Sequence, residues 1–206
     1  LGAVTIPNTV TDIGSDAFGY CSSLGSLTIP GSVHTVTTLA LANCSGVTNI
    51  VFSSGVVSLG FGAIQNCSNL TTVVIPDTLA SIGIFVFQNC PKLKALFFRG
   101  NAPNEMQSDF FGSTNVITYY LPGKTGWGGS FGGRPTATWL PVIQTYDSNF
   151  GIRSNTFGFT LNWASGQTTV VEACASLAPM VWVPISTNTL SSDSFYVRDL
   201  NWTNFN

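Results

Sequence analysis

Cysteines are the side chains of this chain best suited to chemistry, and four of them stand at equal intervals. Cys21, Cys44, Cys67 and Cys90 are each 23 residues from the next. Sulfur ligands of a structural zinc ion come as close pairs, which this spacing does not supply. Disulfides between neighbouring repeats fit the distance between stacked backbones, but side chains in one column point the same way. We therefore predict a structural column of buried free thiols and no metal site.

Other groups with catalytic potential do not form a recognisable set. His34 is the only histidine, so a histidine-based metal site or a paired proton relay does not fit within one chain. A serine nucleophile would need a base and a nucleophile elbow, and neither is predicted. The carboxylates are interpreted as solvated or turn-capping side chains: Asp12, Asp16, Asp77, Asp147, Glu172, Asp193 and Asp199. The prediction is a protein that is not an enzyme and carries no cofactor.

Most of the first hundred residues repeats with the cysteines. Apolar residues recur every 23 positions in seven columns, and a fixed period in the low twenties indicates a solenoid whose repeats bury a core only by stacking. The first three columns are Leu1, Leu24, Val47, Leu70 and Leu93; Val4, Leu27, Ile50, Val73 and Leu96; and Ile6, Ile29, Phe52, Ile75 and Phe98. The other four begin at Val10, Ile13, Ala17 and Phe18.

Each repeat is predicted to contain one short strand. The apolar residues Leu24, Leu27 and Ile29 would point inward, while Ser26 and Thr28 would point outward. Strands of successive repeats would stack in parallel about 4.8 Å apart. Pro7, Pro30 and Pro76 follow their strands and end them, since proline has no N–H to donate. A second extended piece is predicted over 33–36 and a helical turn over 17–21.

An ordered set of positions carries a family resemblance. Thr5-Ile6-Pro7, Val10, Ile13-Gly14, Ala17-Phe18 and Cys21 resemble the BspA-like leucine-rich repeats of bacterial surface and secreted proteins. The resemblance covers residues 1–98, with departures at Leu41, Ser53 and Ile64 that are interpreted as keeping the apolar volume. It implies a right-handed leucine-rich-repeat solenoid with short parallel strands, and an extracellular or cell-surface location. It also implies a bacterial source, in which acceptor patterns for N-glycosylation such as Asn43-Cys44-Ser45 would be idle.

Two further segments follow the solenoid, and the whole chain is predicted to be mainly β. The period breaks at Gly100–Pro103, and residues 99–140 are predicted to cap the solenoid, with Trp127, Phe131 and Trp139 over its last turn. Residues 141–206 are predicted to form a small antiparallel β-sandwich. Its segments, Phe157-Gly158-Phe159 among them, resemble C-terminal β modules of secreted bacterial proteins, in which another strand usually follows Asn201-Trp202-Thr203. Lack of that strand would leave an open sheet edge.

Composition narrows the classes of partner. Only 8% of residues are charged and the net charge is −2, which gives no electrostatic footprint for nucleic acid or anionic lipid. No apolar stretch is long enough for a membrane span. Leu1 lies inside a repeat, so we expect upstream repeats, a cap, or packing of that end against another molecule.

Two functions of different kinds remain. The first is a module that binds an unidentified protein or glycan partner through the outward face of the repeat strands. Its predicted binding residues are Thr28, Val51, Val74 and Phe97, with Ser26, Asn49 and Thr72 beside them. The alternative is a structural subunit that self-assembles into a filament or surface layer through an uncapped solenoid end and an open sheet edge.

Overall fold

The computed structural model describes residues 2–104, 110, 112–153, 156–177 and 180–199. The chain divides into two compact units, Leu1–Trp139 and Leu140–Asn206, which are described separately. Leu1 and the Asn201-Trp202-Thr203 segment, on which two sequence expectations rest, lie outside the described residues. Every regular element within the described residues is a β-strand.

The repeats of the first unit contribute two parallel sheets. The shorter strands are β1 (Asp12–Ile13), β3 (Thr35–Val36), β5 (Ser58–Leu59) and β7 (Ser81–Ile82), which pair in this order. The longer strands are β2 (Ser26–Ile29), β4 (Asn49–Phe52), β6 (Thr72–Ile75) and β8 (Ala95–Phe98), which also pair in order. Each partner lies 23 residues further along the chain, so register follows the sequence period directly. The predicted leucine-rich-repeat solenoid is confirmed.

The apolar columns form one continuous core between the two sheets. Leu27, Ile50, Val73 and Leu96 of one column are all at most 1% exposed. Side chains at the first repeat, including Val4, Ile6 and Val10, are only partly buried, although they pack on this core. Burial therefore depends on having a stacked repeat on both sides, as the physics of a solenoid requires.

The predicted helical turn at 17–21 is wrong, because this stretch is a run of tight turns. The amides of Ala17, Gly19 and Cys21 bond the carbonyls three residues earlier. The amides between them bond the next repeat instead, as Phe18 N–H does with Ala40 O at 2.8 Å. An α-helix would direct successive amides to carbonyls four residues earlier, and none of the five amides from Ala17 to Cys21 does so.

The repeat continues past the predicted break at Gly100. Strand β9 (Ile117–Tyr120) pairs in parallel with β8. Phe110, Ser113 and Val116 occupy the same columns as Phe87, Cys90 and Leu93, and all three are buried. One residue fewer then separates Val116 from the strand, because Leu96 aligns with Thr118 rather than Tyr119. This shorter spacing takes β9 out of the 23-residue period, although the turn itself is present.

Aromatic side chains cover the last turn. Strands β10 (Ser130–Phe131) and β11 (Arg134–Thr138) form a hairpin. Strand β11 pairs with β9 and so extends the sheet of β2, β4, β6, β8 and β9, which is the main sheet. The rings of Trp127 and Phe131 pack on Phe98, at 4.8 and 5.4 Å between centroids. This agrees with the capping role predicted for both residues.

The second unit is antiparallel. It contains β12 (Val142–Gln144), β13 (Gly151–Arg153), β14 (Thr156–Asn162), β15 (Thr168–Leu177), β16 (Met180–Thr189) and β17 (Ser194–Asp199). Strand β14 pairs with β12, β13 and β17, while β15 and β16 form a separate ribbon. The antiparallel strands are confirmed, and the sandwich arrangement stays a prediction. Among the described residues its core is small: Phe159, Leu161, Leu190 and Val197.

Candidate binding surface on the repeat sheet

The outward face of the main sheet contains all seven residues proposed for binding. Along β2, β4 and β6, buried residues alternate with more exposed ones, whereas Ala95 of β8 is buried. In-register pairing aligns the outward positions into two rows that run across the strands. The ridge row is Thr28, Val51, Val74, Phe97 and Tyr119. The polar row, named for its first three members, is Ser26, Asn49, Thr72, Ala95 and Ile117.

An aromatic cluster ends the ridge row. The Phe97 ring stacks on Tyr119 with 5.2 Å between centroids, and Trp139 approaches Phe97 at 4.8 Å with the planes tilted by 46°. All three side chains are half-buried, so each keeps part of its ring in contact with solvent. Trp139 therefore packs on the outward Phe97, whereas Trp127 and Phe131 cover the inward Phe98.

Sequence reasoning missed Tyr119 and Trp139 as parts of this face. Tyr119 follows Phe97 by 22 residues, so adding the period of 23 does not find it. The alternation of Ile117, Tyr119 and Leu121 against Val116, Thr118 and Tyr120 was the available signal. Position along the chain gave no signal for Trp139, since only folding of β11 against β9 brings it there.

The two rows carry no charged side chain. Their polar groups are the short hydroxyls of Ser26, Thr28 and Thr72, the amide of Asn49 and the phenol hydroxyl of Tyr119. Thr48, next to this face, donates to Asn49 Oδ1 at 3.4 Å. The surface thus combines an apolar ridge with neutral groups that can donate and accept hydrogen bonds.

The cysteine column lies behind this face, in the core. All four thiols are free, with Cys44, Cys67 and Cys90 buried and Cys21 half-buried. Each buried thiol donates to a carbonyl oxygen of the preceding repeat: Cys44 to Phe18 at 2.9 Å, Cys67 to Leu41 at 3.3 Å and Cys90 to Ile64 at 3.5 Å. The thiols therefore link neighbouring repeats through hydrogen bonds.

Burial keeps two of these thiols protonated. A side-chain hydrogen bond with Cys44, together with burial, raises the pKa of Cys67, and burial raises the pKa of Cys90 to about 12. A thiol is a nucleophile or a metal ligand only as the thiolate. Cys67 and Cys90 are therefore unreactive near neutral pH.

Ser113 continues this column by one repeat and was also missed. Its hydroxyl donates to Phe87 O at 2.7 Å and accepts from Cys90 N–H at 2.8 Å. The serine is fully buried. A serine in place of cysteine 23 residues after Cys90 was the signal that could have revealed the fifth turn.

A ladder of asparagines runs beside the cysteines. Asn66 Nδ2 donates to Asn43 Oδ1 at 3.1 Å, and Asn89 Nδ2 donates to Asn66 Oδ1 at 3.0 Å. These asparagines have φ angles of 53–62°, in the left-handed region that asparagine tolerates better than most residues. From the sequence, Asn43 was interpreted only as part of an acceptor pattern for N-glycosylation, whereas the side-chain amides of Asn43, Asn66 and Asn89 join the repeats.

No catalytic arrangement is found among the described residues. His34 is exposed, and Asp12, Asp16 and Asp77 are exposed on turns and strand ends. Within the described part of the chain, no group of three or more His, Cys, Asp or Glu side chains could hold a metal ion. The described residues also include no helix of the length and apolarity needed to cross a membrane.

The Gly-x-Ser-x-Gly spacing of a nucleophile elbow occurs at Gly128, Ser130 and Gly132, so the expectation that the chain lacks this motif is wrong. A nucleophile elbow joins a strand to a helix. Ser130 instead lies in β10 and pairs with Pro135 across a hairpin.

The geometry defines a leucine-rich-repeat solenoid whose main sheet presents a neutral, partly aromatic face. Residues 1–118 match the model of the BspA type leucine rich repeat region, in six copies. The chain belongs to this family.

Two solved structures are similar to part of the chain. One is a leucine-rich repeat protein from Bacteroides ovatus ATCC 8483, with 21% identity, a TM-score of 0.37, and coverage of 58% of this chain and 37% of that one. The other is a leucine rich cell surface protein from Faecalibacterium prausnitzii A2-165, with 19% identity, a TM-score of 0.34, and coverage of 57% and 48%. The matched part thus spans less than half of either protein. A search of curated proteins found no match.

Proposed function

We propose that the protein is a non-catalytic interaction module of a bacterial extracellular or cell-surface protein. It binds a protein or glycan partner through the outward face of the main sheet. The observation that carries this proposal is the in-register ridge of Val51, Val74 and Phe97, which continues to Tyr119 and is bordered by neutral polar side chains. Membership of the BspA-type family supports both the repeat scaffold and the surface location.

The scaffold suits this role because its backbone geometry is fixed by the core. Buried residues alternate with outward ones, so substitutions on the face leave the columns beneath it unchanged. Solenoids in general offer extended surfaces of this kind for binding. A contiguous apolar ridge on a surface marks an interaction site more often than isolated apolar residues do.

The experiment is a screen on an array of extracellular proteins, in glycosylated and deglycosylated forms, together with neutral oligosaccharides. The test variant is Val74→Asp, and the matched control is Ala80→Asp, which adds the same charge at an exposed position just before β7. Binding by the unaltered protein should be retained by Ala80→Asp and lost by Val74→Asp. Equal binding by the two variants, or no binding by the unaltered protein, would overturn the proposal.

Phe97 is a less suitable test position. Its ring contacts both Tyr119 and Trp139, so Phe97→Asp would disturb the aromatic cluster as well as the face. Val74 is half-buried and lies one strand away from that cluster. Loss of binding by Val74→Asp with an unchanged melting temperature therefore isolates the face.

Self-association is a second candidate, and one observation favours it. The first repeat has an open groove of about 220 Å³ lined mainly by apolar side chains. Its lining includes Val4, Ile6, Val10, Ile13 and Phe18. An open apolar groove of this kind fits a second copy of the chain, which supports self-association. Light scattering over a range of concentrations tests this: assemblies that Val10→Asp dissociates are expected, and a monomer at every concentration would contradict it.

A further inference from the structure

We propose that the partner of the outward face is a neutral oligosaccharide, and that Phe97, Tyr119 and Trp139 form the site on which its sugar rings stack. This inference rests on the proposed binding function and specifies the chemistry of the partner. It includes two residues, Tyr119 and Trp139, beyond the set found from the sequence.

The aromatic cluster provides suitable surfaces for a sugar ring. The faces of aromatic rings carry partial negative charge, which attracts the partly positive C–H groups on the apolar face of a pyranose. Phe97 and Tyr119 are stacked with their planes only 16° apart, so each ring restricts the rotation of the other. Half-burial of all three rings holds their positions before a ligand arrives, while part of each ring stays exposed.

The polar row extends the site along the sheet. Thr72 and Asn49 lie on successive strands, beside Val74 and Val51 of the ridge. Successive strands are about 4.8 Å apart, close to the length of one hexopyranose unit in an extended chain. Successive sugars can therefore meet an equivalent hydroxyl or amide on each strand.

The lack of charged side chains in the two rows favours a glycan over a protein as the partner. The two rows contain no Asp, Glu, Lys, Arg or His that could pair with an acidic or basic ligand. Protein interfaces typically use charged groups to direct association and to select partners. The hydroxyl of Thr72 and the amide of Asn49, on the two strands that precede the aromatic cluster, match the neutral hydroxyl groups of a sugar, which both donate and accept hydrogen bonds.

The test is calorimetric titration of the whole chain with four neutral hexasaccharides: cellohexaose, xylohexaose, mannohexaose and chitohexaose. The test variants are Tyr119→Ala and Thr72→Val, and the second preserves side-chain shape while removing one hydroxyl. The control is Phe61→Ala, since Phe61 is an exposed aromatic whose ring contacts Phe85 rather than the proposed site. At least one hexasaccharide should bind, with affinity reduced at least about fivefold by each test variant and unchanged by the control.

The outcomes separate the two proposals. If no oligosaccharide binds in solution or on the array, while deglycosylated proteins bind and Val74→Asp abolishes their binding, the glycan inference is overturned and the binding function stands. If a hexasaccharide binds with equal affinity to all variants, the site assignment is overturned. If Val74→Asp still binds every protein and oligosaccharide that the unaltered protein binds in the screen, both proposals fail.

Discussion

At the scale of single residues, the solenoid is held together by polar columns as well as apolar ones. Asn43, Asn66 and Asn89 adopt left-handed φ angles and join their amides into a ladder. Gly112, the next residue in this column, has a φ of 77°, for which glycine needs no side-chain adjustment. Tyr20 begins the column with a φ of 59°, and it is the one member of the column that is neither asparagine nor glycine.

Tyr20→Asn is expected to stabilise the protein. Asparagine tolerates the left-handed region better than tyrosine, and an amide at this position can accept from Asn43 as Asn43 does from Asn66. Since Tyr20 is 75% exposed, little apolar burial is lost. We expect a gain of about 1 kcal/mol in the free energy of unfolding, measured by urea denaturation. A loss of stability would contradict this account of the ladder.

Ser113→Ala is expected to destabilise the fifth turn. The substitution leaves Phe87 O and Cys90 N–H without their buried partner. The expected cost is about 1–3 kcal/mol in the free energy of unfolding. Ser113→Cys should cost less, since the cysteines of the same column make equivalent bonds to carbonyls. Equal losses for the two variants in urea denaturation would contradict the hydrogen-bonding role.

The raised pKa of a buried thiol leads us to expect a loss of protein stability in alkali. The folded pKa of Cys90 is raised to about 12 from an ordinary value of 9.0. Above pH 9 the unfolded chain therefore loses a proton that the folded chain keeps. The contribution of Cys90 to the free energy of unfolding is thus complete below pH 9 and decreases as the pH rises towards 12. Each such thiol should lower the free energy of unfolding by about 1.4 kcal/mol per pH unit in that range. Urea titrations at several pH values measure this slope, which should be smaller for Cys90→Ala; identical slopes would contradict it.

At the scale of elements, packing between repeats determines which segments are stable. Repeats inside the array bury their columns fully, whereas the first repeat leaves Val4, Ile6 and Val10 partly exposed. The last turn is covered by Trp127, whose ring stacks on Tyr120 at 5.1 Å and whose Nε1 donates to Gly100 O at 3.2 Å. The cap therefore combines apolar cover with a hydrogen bond to the chain.

Trp127→Ala is expected to loosen the cap. Removing the ring exposes Phe98 and Phe131 and should cost up to about 3 kcal/mol, less than a full core deletion because Trp127 is only half-buried. Trp127→Phe should recover part of this loss, since the stacking is preserved. Tyr20→Ala serves as the control for removing an exposed aromatic side chain. Thermal denaturation measures the differences, and a Trp127→Ala variant as stable as Tyr20→Ala would contradict the capping role.

The sequence predicted those elements whose signal was periodic. The inward columns and the outward face followed from adding 23, because side chains alternate strictly along a strand. The fifth turn was not recognised in the sequence, because its strand begins one residue closer to Val116 than the period of 23 predicts. Phe110 and Ser113 nevertheless keep that period. The tight turns near Ala17 were mistaken for a helical turn, since their hydrogen bonds to the next repeat depend on stacking and not on local sequence.

At the scale of the whole molecule, the first unit alone contains every residue of the proposed binding surface. It ends at Trp139, which is also part of the aromatic cluster. The second unit has its own small core and its own antiparallel strands. The binding function proposed for the chain therefore depends on the folding of the repeat array and its cap.

Hydroxyl-radical footprinting of the protein with and without its bound ligand tests the binding surface most directly. Aromatic side chains on different faces serve as internal reporters, so no substitution is needed. The account predicts reduced oxidation of Phe97, Tyr119 and Trp139, with Tyr20 and Phe61 unchanged. Protection of Phe18 in the groove of the first repeat, with no change at Phe97, Tyr119 and Trp139, would contradict it.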